Sequence, residues 1–297
     1  MFTLRQLQDR FQTQDDCLAY LASMRWPDGV YCPRCGTSEK VYKLAKPFKW
    51  QCKACAKNGY KFSPLTGTVF ENTKFPLRDW FQVILIMCQA KKGMSALQIQ
   101  RHIGMGQYRT AWYMCHRIRA AMQDPAFQKL TGVVEVDETY VGGKAKNRHG
   151  GGIGGGMKKG QGGRGAAGKV GVIGAISRKG NVVCQVIEAT DAKTLEGFVD
   201  KTVADRASLV ATDELQTYKR IGSKRPHDFV NHTAGEYVRS EVHTCTIDSF
   251  WSLIKRGIMG NFHHVSKRYL PLYLNEFSFR HNNRENDDMF STVVAGS

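Results

Sequence analysis

The sequence lacks any apolar run long enough to cross a membrane. Its most apolar stretch, residues 80–88, is far shorter than the roughly 20 residues that a spanning helix requires. The N-terminal segment MFTLRQLQDRFQTQDD mixes charges with isolated apolar residues and has no signal-peptide core. We therefore expect a cytoplasmic protein with no membrane partner.

Two further features are missing. A disulfide framework is not expected, because the chain has nine cysteines, an odd number, and is expected to be cytosolic. A phosphate-binding GxxxxGK[ST] loop is also lacking, so we expect no nucleotide cofactor. Convincing tandem repeats are not found, which disfavours a repeat architecture.

Acidic residues are scarce relative to basic ones. The chain has 43 Lys and Arg against 26 Asp and Glu, a formal net charge of +17, which predicts a polyanion partner, most often nucleic acid. The alternative is a basic protein that is merely soluble. Residues 1–130 carry 20 basic against 8 acidic side chains, while the rest carries 23 against 18. A polyanion binder would avoid those later carboxylates unless they had a role.

Four of the cysteines form two close pairs. Cys32 and Cys35 make one C-x-x-C pair, Cys52 and Cys55 make the other, and sixteen residues separate the two pairs. This spacing predicts a structural Zn²⁺ site in a zinc ribbon over residues 27–68, with no open position for catalysis. A redox dithiol would need only one pair.

Helical periodicity flanks the ribbon on both sides. Residues 1–26 are predicted to form one N-terminal helix, and residues 72–124 a three-helix, helix-turn-helix DNA-binding region. Ser95 is the expected N-cap of its second helix and Gly104 the expected C-cap. A plain helical bundle is the alternative. The expected DNA contacts on the third helix are Tyr108, Arg109, Thr110 and Arg117.

Residues 131–297 begin with strand-like segments and end in helical ones, which predicts a mixed α/β domain. Candidate strands cover residues 133–136, 170–176, 182–187 and 209–212. Residues 142–168 are rich in Gly and Lys and are predicted to be a flexible insertion whose basic side chains can contact DNA phosphates. The whole chain is thus predicted to be a multidomain α+β and α/β protein.

Three aspartates in this region are candidate metal ligands. Asp137 and Asp213 lie near strand ends, and Asp248 lies at the start of a helix. Such acids can converge on two Mg²⁺ ions about 3.5–4 Å apart. The alternatives are turn residues for the first two, and for Asp248 a favourable acid in a helical first turn capped by Thr246. Nearby acids are interpreted as solvated or as supporting groups: Glu135, Glu138 and Glu214.

Several longer motifs carry a family resemblance. They are VEVDETYVGG, ATDEL, HTCTIDSFWSLIKRGIMGNFHHVS and YLNEFSFRHNNR, together with the four-cysteine ribbon and the helix-turn-helix region. With these, almost the whole chain resembles bacterial insertion-sequence transposases of the ISXO-two-like group in the DDE superfamily. The sequence departs from the pattern at Cys245, where relatives usually have Asn, and at Asp248, where they usually have Glu.

The resemblance implies a ribonuclease-H-like catalytic domain over residues 131–290. It implies that Asp137, Asp213 and Asp248 ligate Mg²⁺ or Mn²⁺, and that Lys255 and the neighbouring Arg256 contact DNA. It also implies a transposase that binds the terminal inverted repeats of its element, cleaves phosphodiesters and joins the 3′-hydroxyl ends to target DNA.

Such an enzyme would bind double-stranded DNA as a homodimer or larger synaptic assembly, at the bacterial nucleoid. Two other functions fit parts of the sequence. One is a non-enzymatic DNA-binding regulator, domesticated or inactive, which would keep the ribbon and the positive charge without a metal site. The other is a structure-selective nuclease, which would cleave DNA without joining it.

Overall fold

A computed structural model describes residues 2–55, 57–123, 127–142, 169–213, 224–230, 239 and 242–297. The predicted Gly- and Lys-rich insertion lies outside the described residues from position 143 to 168, as does Glu214. The chain divides into two compact units, one of residues 1–125 with 283–297 and one of residues 126–282. Among the described residues, no helix is both long enough and apolar enough to cross a membrane.

The first unit begins with two short helices, α1 (Leu4–Arg10) and α2 (Gln14–Arg25), where the sequence predicted one. The break lies at Thr13, whose hydroxyl accepts from the Asp16 amide at 3.2 Å while the Asp16 carboxylate accepts from the Thr13 amide at 2.7 Å. This reciprocal capping box starts a new helix, so the apolar periodicity continues across two elements rather than one.

The ribbon that follows is a three-stranded antiparallel sheet in the order β1 (Val41–Lys43), β2 (Trp50–Cys52) and β3 (Tyr60–Phe62). Its core is small and largely aromatic. Trp26 packs edge-on against Trp50, with ring centroids 5.2 Å apart, and against Phe62 at 5.9 Å. Apolar burial on this scale is modest, so a bound metal must supply much of the folding free energy.

Three helices complete this part of the chain: α3 (Leu77–Gln89), α4 (Ala96–Ile103) and α5 (Tyr108–Ala121). The predicted caps of α4 are confirmed. Ser95 and Gln98 form a capping box, and Gly104 has φ 76°, a left-handed conformation that glycine adopts without strain.

The second unit is built on a five-stranded sheet in the order β6-β5-β4-β7-β8. All four predicted strand segments are confirmed. Strand β4 pairs antiparallel with β5, and β5 with β6, while β7 and β8 run parallel to β4. The five strands are β4 (Val133–Val141), β5 (Val170–Ser177), β6 (Val182–Ile187), β7 (Leu209–Thr212) and β8 (His227–Phe229).

Helices cover both faces of this sheet. Val134 and Val136 pack with α6 (Ala192–Thr202) on one face, while Glu135 and Asp137 point to the other face because strand side chains alternate. The second face is covered by α7 (Cys245–Gly257), a π-helical turn (Ile258–Phe262) and α8 (Leu270–Asn282).

The last helix, α9 (Met289–Ala295), belongs to the first unit. Phe290 is buried between the rings of Phe11, Tyr20 and Phe81, and the Tyr20 hydroxyl lies 2.6 Å from Ser291 Oγ. The predicted catalytic segment, 131–290, therefore runs past the second compact unit, which ends at residue 282.

Candidate active site and zinc centre

The four paired cysteines of the ribbon converge as predicted. Their sulfur atoms all lie within 4.8 Å of one another, with Cys32 Sγ 3.8 Å from Cys55 Sγ and Cys35 Sγ 3.7 Å from Cys52 Sγ. A tetrahedral Zn²⁺ with Zn–S bonds of about 2.3 Å requires sulfurs about 3.8 Å apart. The cysteine set therefore fits a structural Zn²⁺ ion, and four sulfur ligands leave no position for a reacting water.

Two of the predicted acidic ligands lie on β4 and directly after β7, which are neighbouring parallel strands. In the pairing of β4 with β7, Glu135 is opposite Ala211. Asp137 and Asp213 each follow that pair by two residues, so the register brings both to the level at which β7 ends. Strand β4 continues to Val141, so the expected position near a strand end is wrong for Asp137. Asp137 lies on β4, at the centre of the sheet, and Asp213 directly follows the last residue of β7.

The three predicted acids lie near enough to one another for their charges to act on Asp137. Burial raises the pKa of Asp137 to about 8, and the negative charges of Asp213, Glu138 and Asp248 add to that effect. A cluster of oxygen donors with this excess of negative charge fits a divalent cation such as Mg²⁺, which would offset the repulsion. Within the described residues, only the cysteine set has its donor atoms close enough together to hold an ion as it stands.

Trp251 orients Asp137, a contact that the sequence did not predict. Its indole Nε1 donates to Asp137 Oδ2 at 2.9 Å. Gly174, which is opposite Asp137 in the pairing of β4 with β5, makes room for the ring. A Cβ at Gly174 would lie 2.6 Å from Trp251 Cη2, closer than any real contact, so a side chain there would displace the indole.

Asp248 lies in the first turn of α7 and is exposed. Its Oδ2 accepts from the Thr244 hydroxyl at 3.2 Å. The expected cap at Thr246 is wrong: the N-cap is Thr244, which makes no side-chain capping hydrogen bond, and Thr246 is already helical. An exposed acid in the first turn remains available to a ligand.

Glu135 is 0% exposed, so of its two interpretations, as a solvated or a supporting acid, the solvated one is wrong. Its carboxylate accepts from the Thr246 and Ile247 amides at 2.8 and 3.0 Å, from the Thr246 hydroxyl at 2.9 Å and from Arg178 Nε at 2.9 Å. The signal in the sequence was a charge between Val134 and Val136, two residues before Asp137, which places it on the same face of a largely buried strand.

The predicted basic residues of α7 are exposed. Lys255 follows Asp248 by seven residues, two helical turns, and so lies on roughly the same side of the helix. The neighbouring Arg256 donates from Nε to the Ser252 carbonyl at 3.2 Å within its own helix.

The predicted DNA contacts of α5 have different environments. Tyr108 is 50% exposed and Arg109 is exposed at the start of the helix, beside the partly buried Thr110. Arg117 instead donates to the carbonyls of Thr68 and Glu71 at 3.3 and 3.1 Å. Its guanidinium is thus engaged within the first unit.

Comparisons with known proteins follow the same division of the chain. A family model described as the ISXO2-like transposase domain matches residues 129–282, and one described as the transposase zinc-ribbon domain matches residues 12–58. The chain belongs to the ISXO2-like transposase family. The first of these matches covers most of the second compact unit, including all three aspartates.

A curated relative of this transposase is described as an uncharacterized protein in transposable element ISH50 of Halobacterium salinarum. It is 31% identical over 269 residues, which cover 88% of each chain. Among solved structures, a chain of a simian T-cell lymphotropic virus intasome in complex with PP2A regulatory subunit B56 gamma matches with 12% identity and a TM-score of 0.30, over 66% of each chain.

Proposed function

We propose that this transposase binds the terminal inverted repeats of its own element, cleaves a phosphodiester at each end and joins the freed 3′-hydroxyl to target DNA. The observation that carries the proposal is the placement of Asp213 and Asp248 near enough to the partly buried Asp137 for their charges to add to the effect of burial, which raises the pKa of that carboxyl to about 8. Acids held this close together repel one another when they are ionised, and such an arrangement is typical of a metal-dependent site.

A ribonuclease-H-like fold for residues 131–290 is part of the proposal. The sheet supports it with three antiparallel strands followed by two parallel ones. The acids lie on the central strand, after its parallel neighbour and on a helix packed over them. Asp248 is exposed, while Asp137 and Asp213 are partly exposed, so a DNA backbone can approach these acids.

In this proposal, Asp137, Asp213 and Asp248 would hold Mg²⁺ or Mn²⁺, which when bound stabilises negative charge that develops on phosphate oxygens and on the attacking oxygen. Trp251 restricts the Asp137 carboxylate to one orientation. Lys255 and Arg256, exposed further along α7, bind the DNA backbone near the scissile phosphate.

Two successive reactions complete the proposed cycle. Water first attacks the phosphorus at the element end, and the bond to the 3′ oxygen breaks to release a 3′-hydroxyl. That hydroxyl then attacks a target phosphodiester and displaces a target 3′ oxygen, so each bond formed replaces one bond broken. No covalent protein–DNA intermediate is required, since both nucleophiles are oxygens of water or DNA.

We assign DNA recognition to the first unit, because its net positive charge favours binding to the DNA backbone. The zinc ribbon and the start of α5, with Tyr108, Arg109 and Thr110, are the proposed contacts with double-stranded element ends. Both ends must be held together during joining, so we propose a homodimer or larger assembly. The reaction would take place in the bacterial cytoplasm, at the nucleoid.

The test removes single charges from the proposed site. Cleavage of labelled element-end DNA in Mg²⁺ should slow by more than about 100-fold in each of three variants: Asp137→Asn, Asp213→Asn and Asp248→Asn. Loss of a residue that only orients a metal ligand already costs about 10- to 100-fold, and loss of a ligand itself should cost at least as much. Binding of the same DNA should be unchanged. Asp191→Asn is the matched control, because Asp191 caps α6 and Asn caps as well. Cleavage by the three site variants at the control's rate would refute the proposal.

A further inference from the structure

Glu135 is a charged residue for which the proposed chemistry has no use. It is fully buried on the face of β4 that also carries Asp137, two residues further along. A buried carboxylate without partners is strongly destabilising, so its presence requires compensation. The compensation comes from Arg178, whose Nε lies 2.9 Å from Oε1, and from the segment that precedes Asp248.

That segment is bound to Glu135 through several atoms. The carboxylate accepts from the amides of Thr246 and Ile247, the second and third residues of α7, and from the Thr246 hydroxyl. The imidazole Nδ1 of His243 lies 3.2 Å from Oε1, and Arg178 also reaches the His243 carbonyl at 3.4 Å. These contacts cover the residues just before Asp248.

The other capped helices start differently. Each is capped by a side chain close in sequence: Thr3, Thr13, Ser95, Asp191 and Asp288. Thr244, at the start of α7, makes no such bond, and a carboxylate from the sheet accepts the first-turn amides in its place. A negative charge at this end is also favoured by the helix dipole. The start of α7 is therefore fixed to β4, the strand that carries Asp137.

We propose that Glu135 is a positioning residue that holds Asp248 beside Asp137 by fixing the first turn of α7 on β4. The inference rests on the proposed function, because Asp248 needs to be held there only if it is a metal ligand. Glu135 itself touches neither metal nor DNA in this role. The purely structural alternative is a buried ion pair that stabilises the unit without affecting metal binding.

The experiment compares Glu135→Gln with Glu276→Gln in the full-length, zinc-loaded protein. Glu276 is the matched control, since it is also 0% exposed and is paired with an arginine, Arg280, but lies in α8. Three quantities are measured: Mn²⁺ affinity, by the loss of the free-ion resonance signal; cleavage of element-end DNA; and hydrogen exchange of the amides at positions 246 and 247.

Glu135→Gln should weaken Mn²⁺ binding and slow cleavage by about 10-fold or more, the usual cost of losing a group that orients a metal ligand. Amide exchange at 246 and 247 should rise by a similar factor, while end-DNA binding stays unchanged. Glu276→Gln should lose stability but keep Mn²⁺ affinity. Equal Mn²⁺ affinity in the two variants, with an active wild type, would overturn the inference alone. A wild type that neither binds Mn²⁺ nor cleaves would overturn the proposed function and this inference with it.

A milder variant covers the case in which Glu135→Gln does not fold. Thr246→Val is nearly isosteric and removes one donor to Glu135, whereas Thr246→Ser keeps the hydroxyl. We expect Thr246→Val to weaken Mn²⁺ binding by about 3-fold and Thr246→Ser to restore the wild-type value. Wild-type affinity in Thr246→Val would count against the positioning role.

Discussion

At the scale of single residues, the carboxyl of Asp137 has a strongly raised pKa. Its pKa is raised from 3.8 to about 8 by burial and by the charges of Asp213, Glu138 and Asp248. Without a cation, the folded protein therefore keeps a proton on Asp137 at neutral pH. Binding of a divalent cation should release that proton, which makes metal affinity increase with pH.

The same shift predicts how stability depends on pH. Between pH about 4 and 8 the folded state holds a proton on Asp137 that the unfolded chain has lost, so stability falls as pH rises through this window. Asp137→Asn removes this penalty. In Mg²⁺-free buffer the variant should match the wild type at pH 4 and exceed it by on the order of 1–3 kcal/mol at pH 8.5.

The measurement is denaturant unfolding at several pH values, without chelators that would remove zinc. A wild type whose stability exceeds that of Asp137→Asn at pH 8.5 would show that Asp137 is ionised at little cost, and would contradict the described electrostatics.

Trp251 allows a second test at this scale. Trp251→Phe keeps an aromatic ring over Gly174 but removes the donor to Asp137 Oδ2. We expect cleavage to slow by about 10-fold, because the carboxylate loses its fixed orientation, and stability to fall by about 1 kcal/mol. Steady cleavage assays and thermal unfolding measure the two effects.

A matched control is Trp80→Phe in the first unit, where the indole donates to Thr73 Oγ1 at 2.8 Å. That variant should lose similar stability without slowing cleavage of bound DNA. If both variants cleave alike, the Trp251 hydrogen bond has no role in the chemistry.

At the scale of elements, the sequence predicted most where local patterns decide the structure. The four strand segments, the caps at Ser95 and Gly104, and the cysteine pairs were all confirmed, because alternation, capping chemistry and metal spacing act over a few residues. The break between α1 and α2 was missed, although the Thr13–Asp16 pair carries its signal. Apolar periodicity alone does not distinguish one long helix from two consecutive short helices.

Zinc removal gives a prediction for the ribbon. Cys35→Ser should abolish stoichiometric zinc binding and unfold β1–β3, whose own core is too small to be stable alone. Element-end DNA binding should then weaken by at least about 10-fold. Metal analysis and a DNA-binding titration measure both. Cys245→Ser, at the other exposed cysteine position, should leave zinc content unchanged.

Helix α9 gives a prediction for the first unit. Phe290 is 2% exposed among aromatic rings of α2 and α3, so Phe290→Ala should destabilise this unit by about 3–5 kcal/mol. Hydrogen exchange resolved by segment measures the loss in α2 and α3. Phe229→Ala, at a position that is 43% exposed in the second unit, should cost far less. Unchanged exchange in α2 and α3 would contradict the assignment of α9 to their core.

At the scale of the whole molecule, contacts distant in sequence determine what the sequence alone did not. Nothing near Phe290 indicates that residues 283–297 return to the first unit, because its partners lie more than 200 positions away. Trp251 was likewise missed, and the sequence did not decide whether Glu135 is a solvated or a supporting acid. Their roles depend on contacts between β4 and α7, which are more than 100 residues apart in the chain. The positions of the three aspartates made them candidate ligands but left turn and helix-start roles open, and the ligand role was implied by the family resemblance.

Basic residues and the candidate metal-binding acids lie in different parts of the chain. The first 130 residues carry most of the excess positive charge, while the acids that surround Asp137 lie in the second compact unit. The proposed DNA-binding surface and the proposed metal site therefore lie in different parts of one chain. A transposase needs both, since it must hold a specific end while it exchanges phosphodiester bonds.

A strand-transfer assay tests directly whether this protein is an active transposase. Purified protein is incubated with Mg²⁺, labelled DNA carrying the inverted repeats that flank its gene, and an unlabelled plasmid target. We expect labelled 3′ ends to be joined covalently to the plasmid, and this product to be lost in Asp137→Asn. Binding of the ends by the wild type without cleavage or joining would contradict this expectation.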